Sequence, residues 1–203
     1  MTDYRQWIPH LLQWETGSPN GWSVKSVPGD NGGLTVSGLT WNTYKSLCYQ
    51  LLGIKPTIEN FKALSRKNWE VFVKWFWDKF TLNNSIKSQA IAEMVVDFAW
   101  GSKFAIRQIQ RMLNSTFNKN LQADNVIGPQ TIAALNSLPE AKLLPALKDA
   151  RINYYKSLDD WAQFGKGWTN RVNSLMTKLM AYIKANPIKT IGFFLPFTHF
   201  YGQ

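Results

Sequence analysis

Apolar residues recur at helical spacing along most of the chain, and one early polar stretch interrupts them. Tyr4, Trp7, Ile8, Leu11 and Leu12 fall on one helical face, and Glu15 continues that stripe four residues after Leu11. Pro9 either kinks this helix or marks its first turn. Gly17 ends it by permitting a left-handed turn. From Thr16 to Leu39 the helical period vanishes. SPNG and PGDNGG are turn signals, and the alternating pieces WSVKSV and LTVSGL predict a small β-hairpin or a three-stranded flap.

Helical signals dominate afterwards. Thr40 predicts an N-cap for a helix burying Tyr44, Leu47, Cys48, Leu51 and Leu52, which Gly53 closes. Thr57 opens a short helix, and Ser65 caps the next, with Trp69, Phe72, Val73, Phe76 and Phe80 inside. Ser85 is the expected cap of an apolar helix through Ile91, Val95 and Phe98, ending near Gly101. Ser102 starts another, burying Ile106, Ile109, Met112 and Leu113. After the loop NKNLQADNVIGPQT, Pro129 suits the first position of a helix. Pro139 and Pro145 each read as helix starts. GKGW reads as a break before a last helix from about Thr169 to Ala185, which Pro187 ends. The expected fold is mainly α (α+β): a helical domain with a small β-flap after the first helix.

Composition narrows the function classes. A chain of 203 residues with 45% hydrophobic and 14% aromatic content buries a sizeable core and is not disordered. Ten Trp suit either core packing or a carbohydrate cleft. The net charge of +10 favours polyanions such as anionic lipid or acidic cell-wall polymer. The basic residues are scattered, which argues against a nucleic-acid arm. Cys48 is alone, so no intrachain disulfide forms, and it reads as a buried small hydrophobe. His10 and His199 lack metal-ligand spacing, so neither a metal site nor another cofactor is expected. MTDYRQWIPHLLQW does not read as a signal peptide, and IGFFLPFTHFY is too short to span a bilayer. The expectation is a protein made in the cytoplasm that needs a holin or export partner to reach any target outside. The aromatic tail, with Phe193, Phe194, Phe197, Phe200 and Tyr201, is expected to fold back, to join a dimer or to contact membrane.

The polar stretch carries candidate chemistry. Glycoside hydrolysis needs a general acid at the leaving oxygen and a second group opposite it. A Glu on an apolar stripe has surroundings suited to holding a proton near neutral pH, because desolvation penalises the ionised form. Asp30 stands beside Gly32 and Gly33, where backbone can approach a sugar closely, and Thr35 suits holding a water or orienting the Asp. On periodicity alone, a tight turn and a locally paired or capping Glu15 are the more common reading.

The ordered set Glu15, Gly17, Asp30–Asn31–Gly32–Gly33–Leu34–Thr35 and Gly38–Leu39–Thr40 is similar to the N-terminal signature of glycosyl hydrolase family 108. That family comprises lysozyme-like muramidases of phages and bacteria, also described as putative secretion activators. VVDFAWGSKFAIRQIQRMLN, GPQTIAALN and GWTNRVNSL resemble the peptidoglycan-binding module usually found behind that region. Thr16 and Ser18 depart from the family pattern, as do the longer spacer before Asp30, the Asn125–Val126 pair and Trp100.

The resemblance implies a lysozyme-like fold, endolysin-type cleavage of the β-1,4 bond between N-acetylmuramic acid and N-acetylglucosamine, and peptidoglycan as partner. It carries the catalytic Glu onto Glu15, with Asp30 and Thr35 as further catalytic candidates. Trp22, Tyr44 and Trp100 are candidate sugar-stacking residues, each with core packing as the alternative. Asp97 reads as a buried structural acid or a cleft residue, and Arg107 and Arg171 as ion-paired or solvated positions or contacts for wall carboxylates. The expected divisions are 1–92 for the catalytic region, 93–186 for the binding-like region and 187–203 for the tail. The first two are expected to pack as one unit. A non-catalytic peptidoglycan-binding or secretion-accessory protein on the same fold is the alternative.

Overall fold

The computed structural model describes residues 1–26 and 33–186, so Asp30, Gly32 and the aromatic tail lie outside the described residues. A 3₁₀ turn, Tyr4–Gln6, leads into α1 (Ile8–Thr16). Pro9 falls in the first turn of α1, where the N–H it lacks would have no helical partner anyway. A three-stranded antiparallel sheet follows in the order β1 (Val24–Ser26), β2 (Leu34–Val36), β3 (Leu39–Thr40).

The remaining described residues are helices and their connections. These are α2 (Trp41–Leu52), α3 (Ile58–Lys62), α4 (Arg66–Thr81), α5 (Gln89–Gly101) and α6 (Ala105–Phe117). After them come α7 (Pro129–Asn136), α8 (Glu140–Lys156) and α9 (Trp161–Ala185). The side chains of Thr40, Thr57 and Ser65 accept from the third residue beyond them, as N-caps do, and Gly17 and Gly53 end α1 and α2 in left-handed conformation. The architecture is mainly α with a small sheet after the first helix, consistent with a lysozyme-like fold.

Helix α5 is the axis of the packing. All of Gln89 to Ala99 is buried, and α4, α6, α8 and α9 surround it, as suits a helix apolar nearly all round. One hydrophobic cluster runs from Trp7 and Leu11 through Val95 and Leu113 to Leu147, Val172 and Leu179, drawing on both halves of the chain.

Three boundary expectations are corrected. Ser88, not Ser85, caps α5: its Oγ accepts from the Ile91 N–H at 3.1 Å. Leu82, Asn83 and Asn84 all have positive φ, so the chain is still turning when it reaches Ser85. Pro145 lies inside α8 rather than starting a helix. The carbonyl that loses its bond there belongs to Ala141, which is exposed to water and so is not orphaned. GKGW does not break the last helix, because α9 runs unbroken from Trp161. Gly165 is buried under the Trp161 ring, where a Cβ would come within 2.5 Å, and Trp168 packs on Tyr155 at 5.2 Å. Packing against α8 thus outweighs the roughly 1 kcal/mol per glycine that propensity would cost.

The Asn125 departure has a conformational reading. Its φ is +70°, a region that Asn enters more readily than other side-chain-bearing residues. Its side chain also accepts from the Arg107 N–H at 3.0 Å and donates to the Lys103 carbonyl at 2.7 Å.

Candidate active site

Burial of Ile8, Leu11 and Leu12 sets the rotation of α1 and thereby the direction of Glu15, the penultimate residue of that helix. The helix stops at Gly17 (φ +86°), whose N–H donates to the Gln13 carbonyl at 3.0 Å. The flap then returns to the helix end: Lys25 Nζ donates to the backbone carbonyl of Glu15 at 2.7 Å.

The sheet register explains which flap residues face the site. Lys25 pairs with Thr35, and Thr35 with Thr40, so these three share one face. Lys25 reaches Glu15 and Thr40 lines a cleft beside it, which puts Thr35 in the same row. Val36 and Leu39, on the other face, are buried. They are joined by the two-residue turn Ser37–Gly38, with φ +45° and +82°, as a type I′ hairpin requires. The turn is tied to Ser23 by two hydrogen bonds: the Ser37 N–H donates to the Ser23 carbonyl at 2.8 Å, and Ser37 Oγ accepts from the Ser23 N–H at 3.1 Å. That anchoring holds Gly38 against the Glu15 side chain. A Cβ at Gly38 would lie 2.6 Å from both Cγ and Cδ of Glu15.

The Glu15 side chain is partly exposed, at 22%. Its Oε1 accepts from Arg171 Nη1 at 2.9 Å and from Trp100 Nε1 at 3.2 Å. Among the described residues nothing donates to Oε2, which faces the Gly38 backbone. Arg171, on α9, also grips Asp97 in two-pronged fashion, Nη2 to Oδ1 at 2.8 Å and Nε to Oδ2 at 3.2 Å.

Asp97 is fully buried on α5 and receives two further partners, Trp7 Nε1 at 3.1 Å and Arg151 Nη1 at 2.8 Å. Arg151 in turn donates to the Tyr155 hydroxyl at 2.9 Å. Two acids and two guanidiniums therefore balance within one network. Burial alone would push the Asp97 carboxyl up, but Arg171 and Arg151 outweigh it and hold it well below the usual carboxylate range. Burial likewise lowers Arg171, and the Asp97 and Glu15 carboxylates more than offset it, keeping the guanidinium charged.

His10 borders this network. Its Nε2 is 3.8 Å from Asp97 Oδ1, beyond hydrogen-bonding reach, and has no partner among the described residues. Burial pushes His10 down to about 4 against the upward pull of Asp97, and Arg171 lowers it further.

Beside Glu15 lies a small cleft of about 90 Å³. Gly38, Thr40 and Thr43 form its polar side, and Phe72, Trp75, Phe76 and Trp100 its aromatic side. Trp100 is braced edge-on by Phe76 at 4.9 Å and by Trp7 at 5.5 Å, so its ring is fixed in both directions. An acid on a rigid helix end, an aromatic wall and two hydroxyls are suited to proton transfer onto a bound sugar. Among the described residues no group of three His, Cys, Asp or Glu side chains is placed to hold a metal ion.

The sequence-picked residues separate accordingly. Glu15 and Trp100 meet directly, and Thr35 stands in the flap row facing them. Gly33 precedes β2 with φ +62°, and among the described residues nothing lies within 4 Å of where its Cβ would be. Trp22 is 39% exposed, packs edge-on to Trp69 at 5.8 Å, and does not line the cleft. Tyr44 takes its core-packing alternative: it is fully buried, flanked by Phe61 at 4.7 Å and Phe72 at 5.5 Å, with no face open to a ligand. Asp97 and Arg171 are ion-paired to each other, and Arg107 packs over the Phe104 ring at 5.5 Å.

Sequence reasoning passed over Trp75 and Phe76 as cleft walls and Gly38 as the seat of the acid. A signal for the network was present. One acid in the otherwise apolar run VVDFAW needs a buried cation, and Arg151 and Arg171 supply it.

Residues 8–102 match the family model described as Glycosyl hydrolase 108, and residues 104–173 match the model described as Predicted Peptidoglycan domain. No curated protein matches the chain. Among solved structures, the chain is similar to one titled "Structure of Brucella abortus SagA". The identity is 26%, the match covers 88% of this chain and 94% of that one, and the TM-score is 0.67.

Proposed function

We propose that this chain, whose residues 8–102 belong to glycosyl hydrolase family 108 and whose residues 104–173 form a peptidoglycan domain, is a muramidase. It cleaves the β-1,4 bond between N-acetylmuramic acid and N-acetylglucosamine, with Glu15 as general acid. The observation that carries this reading is the asymmetric environment of the Glu15 carboxyl. Both donors, Arg171 and Trp100, act on Oε1. An oxygen accepting two N–H bonds is the poorer seat for a proton, so Oε2, which accepts none from the described residues, is the oxygen that passes a proton to the glycosidic oxygen.

Arg171 does not neutralise Glu15 by itself, because its charge is shared with Asp97. Its role is to orient the carboxyl, and Asp97 holds Arg171 in place. Trp75 and Trp100 provide a hydrophobic surface for a sugar ring, and Thr40 and Thr43 provide hydroxyls. Asp30 is the proposed second carboxyl and Thr35 its partner in handling water, both from the family motif.

The deciding experiment is mass spectrometry of products from purified peptidoglycan treated with wild type and Glu15→Gln. Wild type is expected to release muropeptides ending in muramic acid. Glu15→Gln should lose about 10²–10⁴-fold in rate with its thermal unfolding unchanged, the range a general acid contributes. Full activity in that variant overturns the assignment. Retention of wild type on the polymer with no product at all favours the binding or accessory role instead.

A further inference from the structure

A second cleft, of about 630 Å³, lies between α6 and α8, entirely within the residues that match the peptidoglycan domain. Its floor is narrow because Ala146 and Ala150 face Met112, and two alanines one helical turn apart leave a trough where larger side chains would close the seam. Seven polar side chains stand along its walls: Ser115 and Ser157 donate to the Met112 and Tyr154 carbonyls, and the other five are Gln108, Arg111 and Thr116 from α6 and Asp149 and Asn153 from α8. Arg111 follows Gln108 by three residues on α6 and Asn153 follows Asp149 by four on α8, so each pair shares a helix face and the two pairs form facing rows.

None of the hydrogen bonds or ion pairs among the described residues engages any of these five side chains. The groups are a guanidinium, a carboxylate, two amides and a hydroxyl, which together can donate to and accept from a peptide along its length. The volume suits a ligand of several residues. An extended glycan would be served by a flat exposed aromatic face, and this cleft offers only Tyr154. That ring is packed against Phe98 and Tyr155 at 5.9 Å each.

We propose that the α6–α8 cleft binds the peptide stem of peptidoglycan, with Arg111 taking a stem carboxylate and Asp149 a free amino group. The assignment rests on peptidoglycan being the partner. It requires nothing of Glu15. An Arg–carboxylate pair with a second charge opposite fixes the direction of the bound stem as well as its presence. Bound there, the stem would hold its glycan strand on the protein without occupying the catalytic cleft.

The test is titration of full-length Glu15→Gln protein with a disaccharide-peptide ending in muramic acid, followed by amide NMR and calorimetry. This ligand contains no bond of the type proposed for cleavage, so the result is independent of catalysis. The expected outcome is signal changes along α6 and α8, and binding weakened about tenfold or more by Arg111→Ala with Asp149→Ala. Ala150→Trp, which fills the trough, should abolish binding. If that variant does not fold, the two surface truncations decide alone. Unchanged binding in the double variant overturns the proposal. So does equal binding of the disaccharide lacking its peptide, which would make the cleft a glycan site. A failure of the muramidase reading would leave this titration intact, and a failure here would leave the Glu15 product analysis intact.

Discussion

The two clefts use similar side chains in opposite ways. Around Glu15 almost every polar group is engaged internally: Arg171 bonds two acids, Asp97 receives three side chains, and Trp100 is committed to Glu15. In the α6–α8 cleft, Gln108, Arg111, Thr116, Asp149 and Asn153 have no side-chain partner among the described residues. The contrast separates two tasks. Holding one carboxyl oxygen ready for proton transfer needs a preorganised surround whose charges are already balanced. Gripping a flexible polymer stem needs unengaged donors and acceptors. The first arrangement makes stability depend on the site, and the second does not.

That contrast is open to direct attack. The largest effect is expected from Asp97→Ala, which leaves Arg151 and Arg171 buried without their shared acid and should cost about 3–5 kcal/mol in denaturant unfolding. Asp149→Ala in the other cleft should stay within about 0.5 kcal/mol. Equal losses for the two would erase the distinction.

Acid should act on the Glu15 side first. His10 is held at about 4 in the fold against an ordinary 6.5, so the unfolded chain takes up its proton earlier as pH falls. The resulting stability is present above about 6.5 and is lost as pH drops toward 4, a change on the order of 2–3 kcal/mol. Asp97, held below its ordinary 3.8, adds a further loss only at lower pH. His10→Gln should flatten the upper part of this curve, measured by thermal melts across the range, and an unchanged slope would remove His10 as its source.

Gly38→Ala sharpens the contact between flap and acid. The added Cβ meets Glu15 and the φ of +82° is strained for Ala, so the turnover number should fall about 10–100-fold with a stability loss of about 1–2 kcal/mol. Loss of stability with full turnover would mean that Gly38 serves the turn alone. The smallest effect is expected from Trp75→Ala, a KM raised roughly tenfold with little change in turnover, as removal of uniform sugar binding predicts. A variant that instead loses only turnover would reassign that wall.

Local signals carried much of the fold. Thr40, Thr57 and Ser65 were legible as caps, and Gly17 and Gly53 as helix ends, because capping is a matter of a few neighbouring backbone groups. The three-stranded flap was legible as one of two readings from its alternation. Gly165 and Pro145 misled because their local penalty was outweighed by packing and by water at an exposed carbonyl. Tyr44 was left between two readings, because an aromatic at the start of an amphipathic helix looks alike whether its face meets sugar or Phe61 and Phe72.

What the sequence determined alone is the position of Glu15: an acid carried on an apolar stripe and stopped by a glycine, both consequences of a 3.6-residue period. What the tertiary structure decided is the surround of that acid. Trp100 and Arg171 lie 85 and 156 residues further along the chain, and Gly38 reaches Glu15 only because a tied hairpin presses it there. Periodicity records which face of each helix is buried. It carries no record of which buried faces meet, and that meeting is what balances two guanidiniums against two acids at the end of α1.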